Sequence, residues 1–152
     1  MAGEPVVVRN PESIRPWQHV LEPLAGYLAL GRALFERNAD AATAINFGPK
    51  LSDTLPVSRM VELFLEAWGS GEWETPELGE QPHEAGLLTL DISRAAEVLN
   101  WVPEWDASRA VHAAAAWYRA YATDPQQAEM LVESDIAVYV EDARKAGSAW
   151  TA

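Results

Sequence analysis

Cysteine is absent from the sequence, which excludes disulfides, thiolate catalysis and cysteine-based zinc sites. Its absence gives no information about the redox compartment of the protein. Lysine is scarce: only Lys50 and Lys145 occur, and 23 acidic residues bring the formal net charge to −12 at pH 7. Such a charge repels a phosphate backbone, so we expect no nucleic-acid partner. No apolar run approaches the ~20 residues of a membrane-spanning helix, and no charged-then-apolar leader opens the chain. We therefore expect a soluble, cytoplasmic protein without membrane association.

The abundant residues indicate a folded protein. Hydrophobic residues make up 49% of the 152-residue chain, and seven residues are tryptophan, so the chain can bury a core of its own. The length is that of one ordinary domain, without an internal repeat or an evident linker, and we expect residues 1–152 to form a single domain. Arginines outnumber lysines, and a few of them can form a local anion site in an acidic protein.

Short strands are predicted at four places. Residues 5–8 are a β-branched run, residues 43–49 end in a Gly-Pro turn, and residues 86–91 form a third candidate. The acidic, turn-rich stretch 69–82 is predicted to contain one more short strand around Trp73.

Helices are predicted between these strands. The strongest pattern carries apolar residues at i, i+3, i+4, i+7, i+8 and i+11 from Val57 to Trp68. Asp106 is expected to cap a long alanine-rich helix that runs to about Thr123. The predicted helix starts are Glu22–Pro23, Val57, Asp91 or Ser93, Asp106 and Pro125. The expected fold class is α+β (mixed α/β), a small helix-rich domain with a few short strands.

The order of these elements, together with four short motifs, resembles a known family. The motifs are RNPESIRPWQHVLEPLAGYLALG (9–31), INFGP (45–49), PHEAGLLTLDISRAAEVLNWVPEWD (82–106) and AAAAWYRAY (113–121). They look like the C-terminal part of the CDP-glucose 4,6-dehydratase family, within the extended short-chain dehydrogenase/reductase (NAD-dependent epimerase/dehydratase) group. The resemblance runs from about residue 6 to about residue 139, and RPWQHVLEP is its most specific word.

The resemblance implies a substrate domain that closes over a nucleotide diphosphate sugar, while an N-terminal Rossmann domain carries NAD and the chemistry. That half has no counterpart in the sequence: no G-x-G-x-x-G follows a strand, and no tyrosine is followed four residues later by lysine. Without a nicotinamide nothing can hold the hydride of a 4,6-dehydration. We therefore expect no cofactor, and no NAD-dependent dehydration by this chain alone.

The same resemblance places Arg15 against the diphosphate of the ligand, and a guanidinium fork does fit two phosphate oxygens. Arg9 is a second candidate for a phosphate or base contact. Each arginine has a plain alternative, a surface ion pair with a carboxylate such as Glu12.

Four further side chains complete the predicted ligand site. Gln18 and His19 follow Arg15, and Asn46 and His83 lie in motifs that resemble pocket-edge segments of the family. His19 could instead be a satisfied interior histidine, and Asn46 a turn residue bonded to its own backbone. Gly86 and Thr89 depart from the family pattern. The third histidine, His112, is expected to be an ordinary helix residue, and the histidine spacing indicates no metal site.

Three hypotheses follow from these residues. The first is a stand-alone substrate-binding domain that holds a nucleotide sugar, with a CDP-sugar as candidate ligand, and that either self-associates or works with a Rossmann-domain partner chain. The second is a repurposed, cofactor-independent lyase, isomerase or cyclase of a biosynthetic pathway. Its predicted catalytic residues are His19, Glu22, His83 and Glu84. The third is a remnant or scaffold without a ligand.

Overall fold

The computed structural model describes residues 3–76 and 85–151 of the chain. Helices dominate these two ranges, which confirms the expected helix-rich α+β fold. The α-helices are α1 (Leu21–Phe35), α2 (Val57–Trp68), α3 (Ser93–Leu99), α4 (Ala107–Thr123) and α5 (Ala128–Ala146). Short 3₁₀ turns lie at Ala39–Ala41, Leu51–Asp53, Pro125–Gln127 and Ala149–Thr151. No helix in the described ranges combines the length and apolar character that a bilayer crossing requires.

The strands are only two residues long and form two separate pairs. Strand β1 (Val6–Val7) runs parallel to β4 (Trp73–Glu74), as the predictions for residues 5–8 and for Trp73 anticipate. Strand β2 (Ile14–Arg15) runs antiparallel to β3 (Leu55–Pro56). The second pair ties the segment that bears the specific motif to the start of α2.

Two strand predictions fail in whole or in part. Residues 43–49 form no strand: Phe47 packs into the core, and the preceding and following residues have no neighbouring strand among the described residues. Within residues 86–91 the only pairing is a bridge of Leu87 with Ile14, in which the Ile14 amide donates to the Gly86 carbonyl at 2.8 Å. A strand requires a partner edge, and for these segments the described chain offers one bridge or none.

The predicted cap of α4 is confirmed. Asp106 Oδ1 accepts a hydrogen bond from the Arg109 amide at 2.7 Å, and Asp53 Oδ2 accepts one from the Ala107 amide at 2.6 Å. The first turn of α4 is therefore satisfied from two sides. Helix α2 packs against α4, and it ends at Gly69, which has the positive φ of 92° that favours glycine.

Among the described residues, two clusters of buried side chains pack against Trp150. One contains Ala25, Trp105 and Tyr139, and the other contains Phe47, Ala95 and Trp101. Helix α1 contacts both clusters, because Ala25 belongs to the first while Gly26 faces the ring of Phe47. The start of α1 is thus held against the middle of the core.

A prediction follows from the contact between α1 and Phe47. A Cβ added at Gly26 would lie 2.2 Å from Phe47 Cδ1, whereas a Cβ added at Gly31, on the same helix, meets nothing within 4 Å. We expect Gly26→Ala to destabilise the protein by about 1–3 kcal/mol through overpacking. Gly31→Ala should stabilise it by about 0.5–1 kcal/mol because alanine favours the helix. Urea unfolding of both variants measures the difference, and equal midpoints would contradict the close approach.

Candidate functional site

The RPWQHVLEP segment crosses the molecule in an extended path held by side-chain hydrogen bonds. Trp17 Nε1 donates to the Leu55 carbonyl at 3.2 Å, and Gln18 Nε2 donates to the Phe47 carbonyl at 3.0 Å. Both side chains are half-buried. These bonds replace the strand ladder that residues 16–20 lack, so the segment is fixed without belonging to a sheet.

Glu22, in the first turn of α1, is fully buried and lies at the centre of a hydrogen-bond network. Its Oε1 accepts a hydrogen bond from the Trp105 amide at 2.8 Å. Its Oε2 accepts bonds from the Glu104 amide at 3.1 Å and from the Tyr139 hydroxyl at 2.8 Å. One carboxylate therefore connects α1, the loop before α4 and helix α5.

Burial raises the pKa of Glu22, and the three donated hydrogen bonds oppose part of that rise. The pKa of Tyr139 is also raised, first by burial and then by the neighbouring Glu22 carboxylate. Glu22 has no solvent-exposed surface and its oxygens are already engaged. Its position fits a structural role better than the catalytic role for which it was considered.

A cavity of about 440 Å³ lies beside this network. The Trp17–Leu21 segment forms one wall, and helices α2, α4 and α5 form the others. Most of its lining is apolar or aromatic, including Phe64, Trp117 and Ile136. Of the predicted site residues, Gln18 and His19 line this cavity.

His19 and Asp135 are the titratable groups with shifted pKa values on the cavity wall. His19 Nδ1 accepts a hydrogen bond from the Leu21 amide at 3.3 Å, which leaves the proton on Nε2, and the ring lies edge-on to Trp105. Burial lowers the pKa of His19, against the opposing charge of Asp135. Burial likewise raises the pKa of Asp135, opposed by His19 and Arg109. A neutral imidazole accepts a proton at its unprotonated nitrogen, which here is the Nδ1 that the Leu21 amide engages.

Arg15 lies apart from this cavity, on strand β2. Its Nη1 donates to the carbonyls of Ile14 and Ala85, both at 2.9 Å, and the side chain is half-buried. Arg9, beyond β1, is exposed. The structure therefore separates the predicted site: Gln18 and His19 line the cavity, and Arg15 does not.

The remaining predicted residues lie elsewhere or outside the described ranges. Asn46 is exposed, and its Nδ2 donates to the Asp91 carbonyl at 3.3 Å, just before α3. His83 and Glu84 fall outside the described residues. His112 is exposed on α4, with its Nδ1 2.8 Å from the Ser108 carbonyl. In the described part of the chain, no group of three or more acidic or histidine side chains could hold a metal ion.

Sequence reasoning missed Asp135, although a signal for it exists. On α5 the apolar residues Val132, Ile136 and Tyr139 recur at helical spacing, and Asp135 occupies the same face at i+3. A carboxylate on the inward face of a helix is costly unless it serves a partner or a ligand.

Two known proteins, one by sequence and one by structure, are similar to this chain. The chain is 37% identical over 119 residues to CDP-glucose 4,6-dehydratase of Salmonella typhimurium, covering 78% of this chain and 33% of that protein. The fold matches part of UDP-glucuronic acid 4-epimerase from Bacillus cereus, with a TM-score of 0.58 and 19% identity over 72% of this chain and 33% of the epimerase. No protein-family model matches the chain.

These matches confirm the resemblance to the C-terminal part of the extended short-chain dehydrogenase/reductase enzymes. The chain spans about a third of the length of the dehydratase that it matches. The epimerase likeness concerns the fold alone, because its sequence identity is low.

The Glu22 network leads to a stability prediction. Glu22→Ala leaves two backbone amides and the Tyr139 hydroxyl buried without an acceptor. At about 1–3 kcal/mol for each unsatisfied group, we expect a loss of about 3 kcal/mol or more in urea unfolding at pH 7. Glu36→Ala is the matched control, since Glu36 forms an exposed pair with Arg32 at 3.0 Å and its loss should change stability by less than about 0.5 kcal/mol. Similar losses in both variants would exclude a central role for Glu22.

Proposed function

We propose that this chain is the substrate-binding portion of a nucleotide-sugar-modifying enzyme, that it holds a nucleoside diphosphate sugar such as a CDP-sugar, and that a separate Rossmann-domain chain supplies the redox chemistry. The observation that carries the proposal is the 37% identity over 119 residues to a CDP-glucose 4,6-dehydratase. Binding of the ligand is assigned to this chain, and dehydration is not.

The described residues do not fit NAD. A dinucleotide cradle needs a glycine-rich turn between a strand and a helix, so that the helix N-terminus faces the pyrophosphate. Here the G-S-G sequence at 69–71 follows helix α2 and leads into strand β4, which is the reverse order. We assign NAD, which is bound in the epimerase structure, to the proposed Rossmann-domain partner.

The proposed diphosphate contact is Arg15. Two carbonyl bonds from Nη1, to Ile14 and Ala85, hold its guanidinium beside the β2–β3 pair. A planar guanidinium in a fixed position can bind two phosphate oxygens at once because its N–H groups form a fork. Arg9 belongs to the same connecting segment and could add a second positive charge.

An exposed apolar face of α1 supports the proposal of a partner chain. Leu24, Tyr27, Leu28, Leu34 and Phe35 recur at helical spacing and all are exposed, Phe35 to 89%. Monomeric proteins rarely expose contiguous apolar patches of more than a few hundred Å². A partner or a second copy that covers this face would remove the cost of its hydration.

Calorimetric titration with CDP, CDP-glucose and NAD tests the proposal. We expect the first two ligands to bind and NAD not to bind. Arg15→Ala should weaken CDP binding at least tenfold, whereas Arg94→Ala should not. Arg94 is a suitable control because it also donates to a backbone carbonyl, that of Asp40 at 3.2 Å, from an exposed position.

Two results would contradict the proposal. One is equal CDP affinity in the two arginine variants and the wild type, and the other is a clean monomer at high concentration from which no partner is recovered in pull-down experiments. The first result would contradict the assignment of Arg15 as a ligand contact. The second would contradict the proposed partner chain.

A second candidate function is cofactor-independent acid–base catalysis, such as isomerisation, elimination or cyclisation. The observation that favours it is the neutral imidazole of His19 on the wall of a cavity that also holds a carboxylate, Asp135. Glu22 is too deeply engaged to take part, and His83 and Glu84 lie outside the described residues. His19 is then the proton acceptor at Nδ1, after that nitrogen is released from the hydrogen bond that the Leu21 amide donates to it.

Deuterium incorporation from solvent into a panel of small ketones and aldehydes tests this second function. We expect exchange at the carbon next to the carbonyl, and we expect it to persist below the ordinary pKa of histidine, since burial lowers the pKa of His19. His19→Gln should abolish exchange while His112→Gln, on the exposed face of α4, should leave it unchanged. Equal rates in both variants would exclude His19.

A further inference from the structure

The cavity beside His19 differs chemically from the arginine-bearing edge. Among the described residues its lining includes no lysine or arginine. Its aromatic members come from three elements: Trp17 from the extended segment, Phe64 from α2, and Trp117 and Tyr118 from α4. A diphosphate would find no cation there. The cavity therefore requires a ligand of a different class from the one proposed at Arg15.

Asp135 is the carboxylate that lines this cavity. It is half-buried, and it makes no hydrogen bond or ion pair with any of the described residues. The arginine whose charge acts on it, Arg109, is already 3.4 Å from Asp142 and lies over the Trp105 ring at 5.0 Å. A partly desolvated carboxylate without a bonded partner gains most from a cation that enters with the ligand.

The ring of His19 offers no free acceptor nitrogen to such a cation. Its Nδ1 is occupied by the Leu21 amide, so the ring presents an Nε2 donor, and burial favours its neutral form. The rest of the wall suits an apolar body, and aromatic faces attract organic cations as well as apolar groups. The net charge of −12 adds a long-range preference for cations.

We propose that this cavity is a binding site for a small apolar amine, whose aromatic or aliphatic body packs among Phe64, Trp117 and Ile136 and whose ammonium group pairs with Asp135. At about 440 Å³ the space is large enough for a phenylethyl group with room for further substituents. The site is separate from the nucleotide-sugar contact and does not depend on it.

Three probes of matched shape test the class of ligand: 2-phenylethylamine, 2-phenylethanol and 3-phenylpropanoate. Calorimetric titration at pH 7.5 should show the amine binding at least tenfold more tightly than the alcohol, and the carboxylate binding most weakly. Asp135→Asn should remove this preference while leaving the affinity for the alcohol unchanged. Glu133→Gln, an exposed change on the same helix, should leave the preference intact.

A second pair of variants tests the location. Ala114 lines the cavity, whereas Ala116 is exposed on the same helix. We expect Ala114→Phe to fill the space and abolish binding of the amine, and Ala116→Phe to leave it unaltered. Circular dichroism and urea unfolding of the Ala114 variant separate occupation of the cavity from loss of fold, and an unfolded variant is replaced by Ala114→Leu.

Several results would overturn the proposal: no binding of the amine at millimolar concentration, equal or tighter binding of the carboxylate, an unchanged preference in Asp135→Asn, or binding retained in a folded Ala114→Phe variant. Arg15→Ala separates this site from the proposed function. It should leave amine binding unchanged whether or not CDP binds.

Discussion

A single buried carboxylate holds the site together. Glu22 accepts hydrogen bonds from the amides of Glu104 and Trp105 and from the hydroxyl of Tyr139, so parts of the chain more than 80 residues apart converge on two oxygen atoms. Three donors are needed because a carboxylate removed from water loses its hydration and must be compensated in full. The same contacts fix the start of α1, the loop before α4 and the middle of α5, and α1 and α5 contribute residues to the cavity wall.

Contacts between aromatic rings connect the Glu22 network to His19. Trp105, whose amide bonds to Glu22, places its ring edge-on to His19 on one side and to Tyr139 on the other, and its Nε1 donates to Asp142 at 3.0 Å. The imidazole is therefore oriented by a ring that the buried carboxylate itself positions. Such indirect support is what a precise site requires, because rotamers near a ligand are held by their neighbours rather than by their own preferences.

Local physics made α2, α4 and the fold class predictable from sequence. The apolar spacing from Val57 to Trp68 and the capping oxygen of Asp106 act within a few residues of each other, so a sequence reveals them directly. The strand predicted at 43–49 failed because pairing depends on a distant edge that the local residues do not encode. The local sequence indicates only a helix start and a possible acid at Glu22, because its three donors lie 82 to 117 residues away. Asp135 was missed because a carboxylate on an amphipathic helix usually faces water.

The separation of charge within this acidic chain supports our proposal of two ligand sites with different chemistry. Arg15 is held by carbonyls at the β2–β3 pair, where a positive group meets solvent and can attract an anion. Asp135 lies on an apolar wall without a bonded cation, where a negative group would repel the same anion. A ligand that placed a diphosphate beside both residues would lose binding free energy through repulsion by Asp135, which would offset the attraction by Arg15. The Glu22 network connects the start of α1, the loop before α4 and helix α5, so both proposed sites depend on it for their shape.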